Sequence, residues 1–391
     1  MRIGSRVASL PPTIFSEMSA LALAHGAINL GQGFPDFDGP GEVLEAAISA
    51  IRGGINQYPP GAGAASLRSS IAHHSERFYG QRVDPDSMIT VTSGATEALF
   101  DAIVGLTDPG DEVILFEPFY DSYEASVRIA SAVPRFVLLR PPDSAHAQWW
   151  FEPSELAAAF GPRTRVVVVN TPHNPTGKVF SEDELRLIAE LCVRHDAVAL
   201  VDEVYEHIVF PPARHVRLAT LPGMAERTVT VSSGGKSFSL TGWKVGWAIA
   251  APPLRLAVQQ AHQYVTFATA APLQAGIAHA LRLPDAYFDG LRESYLKRRD
   301  TLVAALAAAG LRPLIPEGAY FALADISGTR FTDDVSFCRH LTAEVGVAAI
   351  PPSAFYSAAN KQHGSRHARF AFCKTDAVLA AARIRLEGFH G

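Results

Sequence analysis

The sequence predicts an α/β protein whose large domain holds a mostly parallel sheet sandwiched by helices, with a smaller α/β domain beside it. Two observations support this prediction. Short β-branched runs typical of buried strands recur at 89–92, 112–115, 166–169, 197–201, 228–231 and 245–250. Stretches with apolar residues at helical spacing separate these runs. Such alternation indicates a parallel sheet covered on both faces.

The predicted helices show apolar side chains at positions i, i+3, i+4 and i+7. The two clearest sets are Leu99, Ala102, Ile103 and Leu106, and Leu185, Ile188, Ala189 and Cys192. Ser181 with Glu184 three positions later predicts a capping box at the start of the second helix. Two alanine-rich segments, 303–309 and 377–382, are also predicted to be helical.

The chain length favours two domains, because 391 residues exceed what one hydrophobic core usually organises. We expect 41–284 to form the large domain, since it contains the alternating strands and helices. Residues 285–391 carry helix and strand patterns of their own and are predicted to form the small domain. Residues 1–40 are predicted to join that small domain.

Composition narrows the class of protein. The chain is 48% hydrophobic and 19% charged, which excludes intrinsic disorder. Its 34 basic and 39 acidic residues give a net charge of −5, so no positive field recruits nucleic acid or an anionic membrane. Three scattered cysteines provide no disulfide framework and no metal site. With no signal peptide and no apolar run of about 20 residues, we expect a cytoplasmic protein that acts on a small molecule.

Polar residues follow the predicted strands, where ligands bind in open parallel sheets. Lys236 lies in the segment SSGGKS, whose glycines allow close backbone approach. A single lysine is usually a solvated surface group. The GKS ending also matches part of the nucleotide-binding loop GxxxxGK[ST], but the required first glycine is replaced by Thr230, and Asp202 precedes the lysine. The ATP-binding interpretation therefore fails.

Asp202, Tyr205 and Asn174 each have an ordinary explanation as a loop charge, a packing residue and a turn residue. Together with Lys236 they meet the requirements of a pyridoxal 5'-phosphate site. Such a site needs a lysine for covalent attachment, a carboxylate at the pyridinium nitrogen, donors at the phenolic oxygen and an anion cradle. The turn at 93–96 leads from a strand into a helix, so its free amides and the positive end of the helix dipole face the phosphate.

Three further residues complete this hypothesis. Ser233 and Lys244 add a hydroxyl group and a cation near the phosphate, and Tyr120 can stack on the cofactor ring. Arg369 lies in RHARFAF, and its rigid guanidinium fork suits a substrate carboxylate, although a surface arginine is the more common case.

The chain resembles the class I and II aminotransferases of fold type I over essentially its whole length. The segments that carry the resemblance are INLGQGFPDFDGP (28–40), VTSGATEALF (91–100), EPFYDSY (117–123), NTPHNPTGK (170–178), DEVYEHI (202–208), SSGGKSFSLTGWKVGW (232–247), HQYVTF (262–267) and VAAIPPSAFY (347–356). Within this family it is most similar to the bacterial methionine aminotransferase branch, and next to the kynurenine and glutamine transaminases.

The resemblance implies a role for each matching residue. Lys236 matches the lysine that binds pyridoxal 5'-phosphate, and Asp202 matches the partner of its pyridine nitrogen. Arg369 matches the arginine that binds the substrate carboxylate, and Tyr58 matches a tyrosine that reaches the phosphate of the neighbouring subunit of a homodimer. Tyr205 and Asn174 match the groups at the phenolic oxygen, Tyr120 the stacking ring, Gly94, Ala95, Thr96, Ser233 and Lys244 the phosphate cradle, and Asn174 and Gly33 further substrate contacts.

The donor pocket departs from the kynurenine-type pattern. Those relatives place a tryptophan near the amino-terminal entrance and a histidine after the pocket phenylalanine. This chain has Ile14 and Phe15 at the entrance, and Ala268 follows Phe267. A pocket walled by Ile14, Phe15 and Phe267 suits an unbranched thioether such as methionine. Aromatic amino acids and glutamine remain alternative donors.

Other functions stay open or are disfavoured. The cofactor residues would equally serve a carbon–sulfur β-lyase acting on cysteine conjugates or cystathionine. A transcription regulator on this fold is disfavoured, because only about 40 residues precede the cofactor-domain pattern. No metal site is expected, since His73 with His74 and His363 with His367 lack further ligands and are interpreted as surface histidines.

Overall fold

A computed structural model of the protein describes residues 3–8, 10 and 13–389. The strands, numbered in chain order, are β1 (Ile28–Asn29), β2 (Ile89–Thr92), β3 (Glu112–Glu117), β4 (Val133–Leu138), β5 (Thr164–Asn170), β6 (Val198–Asp202), β7 (Thr228–Ser233), β8 (Gly246–Ala250), β9 (Arg312–Leu314), β10 (Phe321–Asp325), β11 (Val347–Ala348) and β12 (His367–Ala371).

Helices separate most of these strands. They are α1 (Ser5–Ala8), α2 (Ile14–Ala24), α3 (Gly41–Arg52), α4 (Ala65–Tyr79), α5 (Ala95–Leu106), α6 (Ser122–Ile129), α7 (Pro153–Ala159), α8 (Glu182–His195), α9 (Gly234–Ser237), α10 (Pro252–Val265), α11 (Ala271–Ala280), α12 (Asp285–Ala308), α13 (Asp334–His340) and α14 (Asp376–Leu386). Within the described ranges, no helix is both long and apolar enough to cross a membrane.

The large sheet has seven strands in the order β2-β8-β7-β6-β5-β3-β4. Only β8 runs antiparallel to its neighbours. The register places Asn170 of β5 opposite Asp202 of β6, so the polar ends of adjacent strands lie side by side. The predicted mostly parallel sheet is therefore confirmed, and its carboxyl edge collects polar groups.

Apolar side chains cover both faces of this sheet. Ile114 and Phe116 of β3 pack on one face with the apolar residues of α8, and Val113 and Leu115 pack on the other with α5 and α10. Because alternate residues of a strand point to opposite faces, a continuous apolar run means that both faces are buried. Polar side chains therefore reach ligands only at the ends of the strands.

A second group of strands lies towards the carboxyl-terminal end of the chain. The antiparallel sheet β12-β10-β9 lies near the parallel pair β1-β11, which joins Ile28 to Val347. One apolar cluster includes residues of this part together with Val204 and Ile208 from the large-sheet region. The predicted domain limits at 41 and 285 stay predictions, although α12 begins at Asp285.

All six predicted strands are present in the large sheet, and most extend into the polar residues that follow each apolar run. The prediction missed β4, which lies at the sheet edge, is partly exposed and contains Pro134. Proline lacks a backbone N–H and is tolerated mainly on edge strands, so the run did not resemble a buried strand. The capping box at Ser181 and Glu184 is confirmed, with both reciprocal hydrogen bonds formed.

The interpretation of His74 and His367 as surface residues was wrong, because both are buried. His74 Nε2 lies 2.7 Å from Nε2 of His207, beside Glu206. Both oxygens of that carboxylate are already engaged: Arg217 donates to Oε2 at 2.7 Å, and Ser232 donates to Oε1 at 2.7 Å. Helical spacing of α4, which places His73 outward and His74 inward, was the signal that sequence reasoning missed.

The buried histidines predict a loss of stability in mild acid. Burial lowers the pKa of His74 from 6.5 to about 3 and that of His207 to about 4. Below pH 6.5 the unfolded chain therefore takes up protons before the folded chain does. The free energy of unfolding should be fully present above pH 6.5 and fall towards pH 4, by up to about 1.4 kcal/mol per pH unit for each histidine.

Urea unfolding between pH 7.5 and pH 5 measures this dependence. His74→Phe, which places a ring among neighbouring aromatic residues, should make the slope shallower. His73→Phe, on the exposed face of the same helix, is the matched control and should keep the wild-type slope. An unchanged slope in His74→Phe would contradict the assignment.

Candidate active site

The predicted site residues meet in one cavity at the carboxyl edge of the large sheet. The cavity has an empty volume of about 930 Å³, including its opening to solvent. The predicted residues that line it are Phe15, Gly33, Gly94, Ala95, Thr96, Tyr120, Asn174, Asp202, Tyr205, Ser233, Lys236, Lys244 and Arg369. Strands β2, β3, β5, β6 and β7 end beside this cavity, as expected for an open parallel sheet.

Lys236 lies in α9, directly after β7. Its Nζ atom lies 5.8 Å from the ring centroid of Tyr205 and 5.7 Å from that of Tyr320. Burial lowers the pKa of this ammonium group. A Cβ atom at Gly235 would lie 3.1 Å from Cα of Thr241, which explains the glycine before the lysine. Lys236 is therefore held in the cavity as an amine that loses its proton more readily than a surface lysine.

Asp202 is the last residue of β6, and only 5% of its surface is exposed. Its Oδ2 accepts a hydrogen bond of 2.6 Å from the hydroxyl of Tyr123, and Oδ1 accepts one of 3.2 Å from the N–H of Val204. Burial raises the pKa of Asp202 against these hydrogen bonds. Among the described side chains no cation pairs with it within 4.0 Å. A buried carboxylate in this state favours a cationic partner, which a protonated ring nitrogen would supply.

The phosphate cradle is formed where β2 turns into α5. Gly94 caps this helix with a φ of 84°, a value that favours glycine. A Cβ atom at Gly94 would lie 3.2 Å from Nζ of Lys244, and one at Gly246 would lie 2.6 Å from the backbone N of Ala95. The turn therefore packs tightly against β8, and Gly94, Ala95 and Thr96 line the cavity. Amides at the start of a twelve-residue helix, with Lys244 and Ser233 beside them, suit a phosphate dianion.

Two aromatic residues bound the space between the cradle and Asp202. Burial raises the pKa of Tyr120 to about 12, so its hydroxyl stays protonated. Tyr205 packs edge-on against Tyr320 with 5.0 Å between ring centroids, and Tyr320 donates a hydrogen bond of 2.6 Å to the carbonyl of Gly33. These rings hold the walls of the cavity rigid while the hydroxyl of Tyr205 stays a neutral donor, since burial also raises its pKa.

Arg369 lies in β12 and is 1% exposed. It donates hydrogen bonds of 2.9 Å to Oδ1 of Asn174 and 2.8 Å to the carbonyl of Gly31, while its Nε has no partner. The guanidinium lies 4.2 Å from the ring centroid of Phe321 and 5.1 Å from that of Phe15. Burial lowers its pKa to about 10, so the cation persists at neutral pH. A buried guanidinium without a carboxylate partner in the described chain suits an incoming carboxylate.

Three predicted residues lie outside the cavity lining. Ile14 is the first residue of α2 and packs on an apolar cluster of the small sheets. Phe267 and Tyr58 contact each other edge-on, with 5.4 Å between ring centroids. Tyr58 is 82% exposed and Phe267 is 41% exposed, so both rings face away from the single chain.

Sequence reasoning missed some of the cavity residues. Tyr123 and Asn170 lie within the motifs EPFYDSY and NTPHNPTGK, so a signal for them existed. Asn170 donates a hydrogen bond of 3.0 Å to the backbone carbonyl of Asp202, and its Oδ1 accepts the N–H of Asn174 at 2.7 Å. Phe321 comes from β10, far along the chain, and no local pattern identified it.

Comparisons with known proteins agree with this geometry. The chain is 47% identical over 388 residues to a probable N-succinyldiaminopimelate aminotransferase of Mycobacterium tuberculosis, covering 98% of this chain and 97% of that protein. It is 42% identical to the methionine aminotransferase of Escherichia coli, covering 98% and 97%. It is 41% identical to kynurenine–oxoglutarate transaminase 3 of Mus musculus, covering 96% and 88%.

Solved structures give the same result. The N-succinyldiaminopimelate aminotransferase from Mycobacterium tuberculosis superposes with a TM-score of 0.96 at 46% identity, and all of both chains is covered. A structure from Escherichia coli described as a methionine aminotransferase gives 0.93 at 42% identity, covering 99% of each chain. The family model "Aminotransferase class I and II" matches residues 25–385. The chain therefore belongs to the class I and II aminotransferases, which are pyridoxal phosphate-dependent transferases of fold type I.

Proposed function

We propose that this enzyme moves the α-amino group of an L-amino acid with an uncharged side chain to a 2-oxo acid, with methionine as the first donor to test. One observation carries the proposal. A lysine with a lowered pKa, a buried carboxylate without a cation and a buried guanidinium without an anion line the same cavity. These three groups match an amine nucleophile, a pyridinium partner and an α-carboxylate clamp.

The residues of the cavity fit pyridoxal 5'-phosphate. The amides of Ala95 and Thr96 with Ser233 and Lys244 would hold the phosphate, while Gly94 shapes the turn, since its own N–H donates a hydrogen bond of 2.8 Å to the carbonyl of Thr92. Asp202 would pair with the ring nitrogen. The cofactor supplies an electron-accepting ring that stabilises negative charge at the substrate Cα. Tyr120 would cover one face of that ring, and Tyr205 with Asn174 would face its phenolic oxygen, in the positions that line the cavity.

The chain's own groups then orient the substrate and move the proton. Arg369, fixed by Asn174 and Gly31, holds the α-carboxylate through a rigid fork and so sets the direction of the Cα–H bond. Lys236 Nζ accepts the Cα proton as a neutral amine, which its lowered pKa favours. Asp202 stays ionised once a cation lies against it and keeps the ring nitrogen protonated.

The charges of the cavity wall favour a donor with an uncharged side chain. The cationic lining residues are Lys236, Lys244 and Arg369, and each has a role in the proposed chemistry. Among the described residues of this single chain, no further lining cation is present to face a side-chain carboxylate, which disfavours aspartate as the donor. Phe15 and Phe321 supply apolar surface that suits a thioether. N-succinyldiaminopimelate is the second candidate donor, because a relative named as a probable N-succinyldiaminopimelate aminotransferase is 47% identical over nearly the whole chain. Its side chain carries further carboxylates, so this candidate rests on the relative and not on the charges of the cavity.

A half-reaction panel should identify the donor. The holoenzyme is mixed with methionine, N-succinyldiaminopimelate, glutamine, kynurenine or aspartate, and conversion of the cofactor to its amino form is followed by absorbance. We expect methionine to react at least about tenfold more efficiently than aspartate, the factor of one missing ion pair. A panel led by N-succinyldiaminopimelate would replace methionine with the second candidate and would contradict the proposed preference for an uncharged side chain. Equal rates for methionine and aspartate would contradict the apolar-pocket argument.

Two controls separate carboxylate binding from side-chain selection. Arg369→Lys keeps the positive charge but loses the two parallel N–H donors of the guanidinium. It should therefore raise KM for every donor, by up to about 100-fold. Arg366→Lys changes a nearby arginine whose guanidinium bonds to the carbonyl of Phe331, and it should leave the panel unchanged.

Pyruvate release from a cysteine conjugate without any oxo acid would reveal the carbon–sulfur lyase reaction instead.

We propose a homodimer in which Tyr58 acts at the partner's cavity. The exposed rings of Tyr58, Tyr264 and Phe267 support this proposal, since exposed apolar groups of this size commonly mark an interface. Mixing inactive Lys236→Ala chains with Tyr58→Ala chains tests it. If Tyr58 acts across the interface, mixed dimers contain one complete site, and activity should exceed that of either variant alone. Activity no greater than the Tyr58→Ala contribution would contradict the exchange.

A further inference from the structure

A buried carboxylate next to the phosphate turn has no role in the chemistry described above. Glu97 lies in the first turn of α5, one residue beyond Thr96. Its Oε2 accepts a hydrogen bond from the N–H of Ser93, within the turn itself. Its Oε1 accepts from the hydroxyl of Thr266 and lies 2.9 Å from Nδ1 of His262. One side chain therefore joins the phosphate turn to the end of α10.

His262 shapes the segment that Glu97 reaches. Its backbone carbonyl accepts the N–H of Thr266 at 3.2 Å and that of Phe267 at 2.9 Å. Phe267 has a φ of 68°, in the left-handed region that favours glycine. This backbone conformation needs support from its surroundings, and the hydrogen bonds from Thr266 and His262 to Glu97 provide it.

The supported segment carries the ring against which Tyr58 packs. Phe267 meets Tyr58 edge-on at 5.4 Å, and both rings are exposed on the single chain. Under the proposed function, these rings belong to the face that meets the partner subunit. Glu97 therefore lies between the phosphate turn of its own subunit and the aromatic pair offered to the other one.

The charge state of Glu97 makes it an acceptor for all three neighbours. Burial opposes its ionisation, but the hydrogen bonds from His262, Thr266 and Ser93 outweigh burial and hold its pKa below the ordinary value. Asp101, one helical turn later, differs: neither of its oxygens has a hydrogen-bond partner in the described chain, and burial raises its pKa to about 8. Asp101 Oδ2 lies 3.9 Å from Nδ1 of His262, beyond hydrogen-bond distance, so Asp101 contributes no hydrogen bond to this connection.

We propose that Glu97 is a positioning residue that couples the phosphate turn of one active site to the Tyr58–Phe267 pair presented to the neighbouring active site. The proposal rests on the proposed function, because it requires the cofactor at the turn and a dimer. Loss of the carboxylate should loosen both ends together. The phosphate turn would lose the anchor of Ser93, and the Thr266–Phe267 segment would lose its side-chain support.

Glu97→Leu and Glu97→Gln test the proposal, with Asp101→Asn as the matched control in the same helix. The rate of cofactor release from each holoenzyme is measured by absorbance after dilution. Leucine removes every hydrogen bond that the Glu97 carboxylate accepts. Cofactor release should therefore be faster by about tenfold or more, because buried hydrogen bonds to a charged group are lost. Glutamine keeps one acceptor oxygen and should fall between leucine and wild type. Asp101→Asn keeps the shape of the side chain and removes no hydrogen bond of the described chain, so it should release cofactor at the wild-type rate.

A second readout separates positioning from a general loss of structure. Hydrogen exchange in the holoenzyme should quicken at 91–96 and at 262–268 in Glu97→Leu, while the strands β5 and β6 keep their protection. Wild-type release and exchange rates in Glu97→Leu would overturn the proposal, as would an equal defect in Asp101→Asn. Wild-type transamination is measured separately, so failure of the proposed reaction would show without any variant.

Discussion

The buried state of both faces of the large sheet is the constraint on which the site depends. Apolar residues from α5, α8 and α10 cover the two faces, so side chains that meet ligands come from the strand ends. Asp202, Asn170 and Ser233 are each the last residue of a strand, and Lys236 lies three residues after the end of β7. The sheet thus collects groups that lie far apart in the chain.

Two buried charged groups of the site lack an ion-pair partner. Arg217, in contrast, is buried and paired with Glu203 and Glu206. Asp202 and Arg369 have no such ionic partners among the described residues. Burying each charge therefore costs desolvation free energy that no ion pair within the described chain offsets. Their state is explained if a cofactor cation and a substrate carboxylate complete the pairs. Glu97 differs from both, because each of its oxygens has a hydrogen-bond partner within the protein.

Much of this arrangement was predictable from sequence, for physical reasons that differ by residue. Buried strands such as β5 have uniform apolar runs, and Ser181 with Glu184 specifies a local cap, so both were found. The edge strand β4 has no such run. Phe321 and the Glu97–His262 contact depend on how distant elements pack, which no local spacing encodes. The inward orientation of His74 depends on which face of α4 packs on the core. It was not recognised because the adjacent residues His73 and His74 were interpreted together as a surface pair.

The attachment of the cofactor to Lys236 is the claim on which the account depends most directly. Borohydride reduction of the reconstituted holoenzyme, followed by digestion and mass spectrometry, tests it. We expect one cofactor-sized mass increment on the peptide that contains Lys236, and none in Lys236→Ala. An unmodified peptide, or an increment carried instead by Lys244, would contradict the assignment of the site.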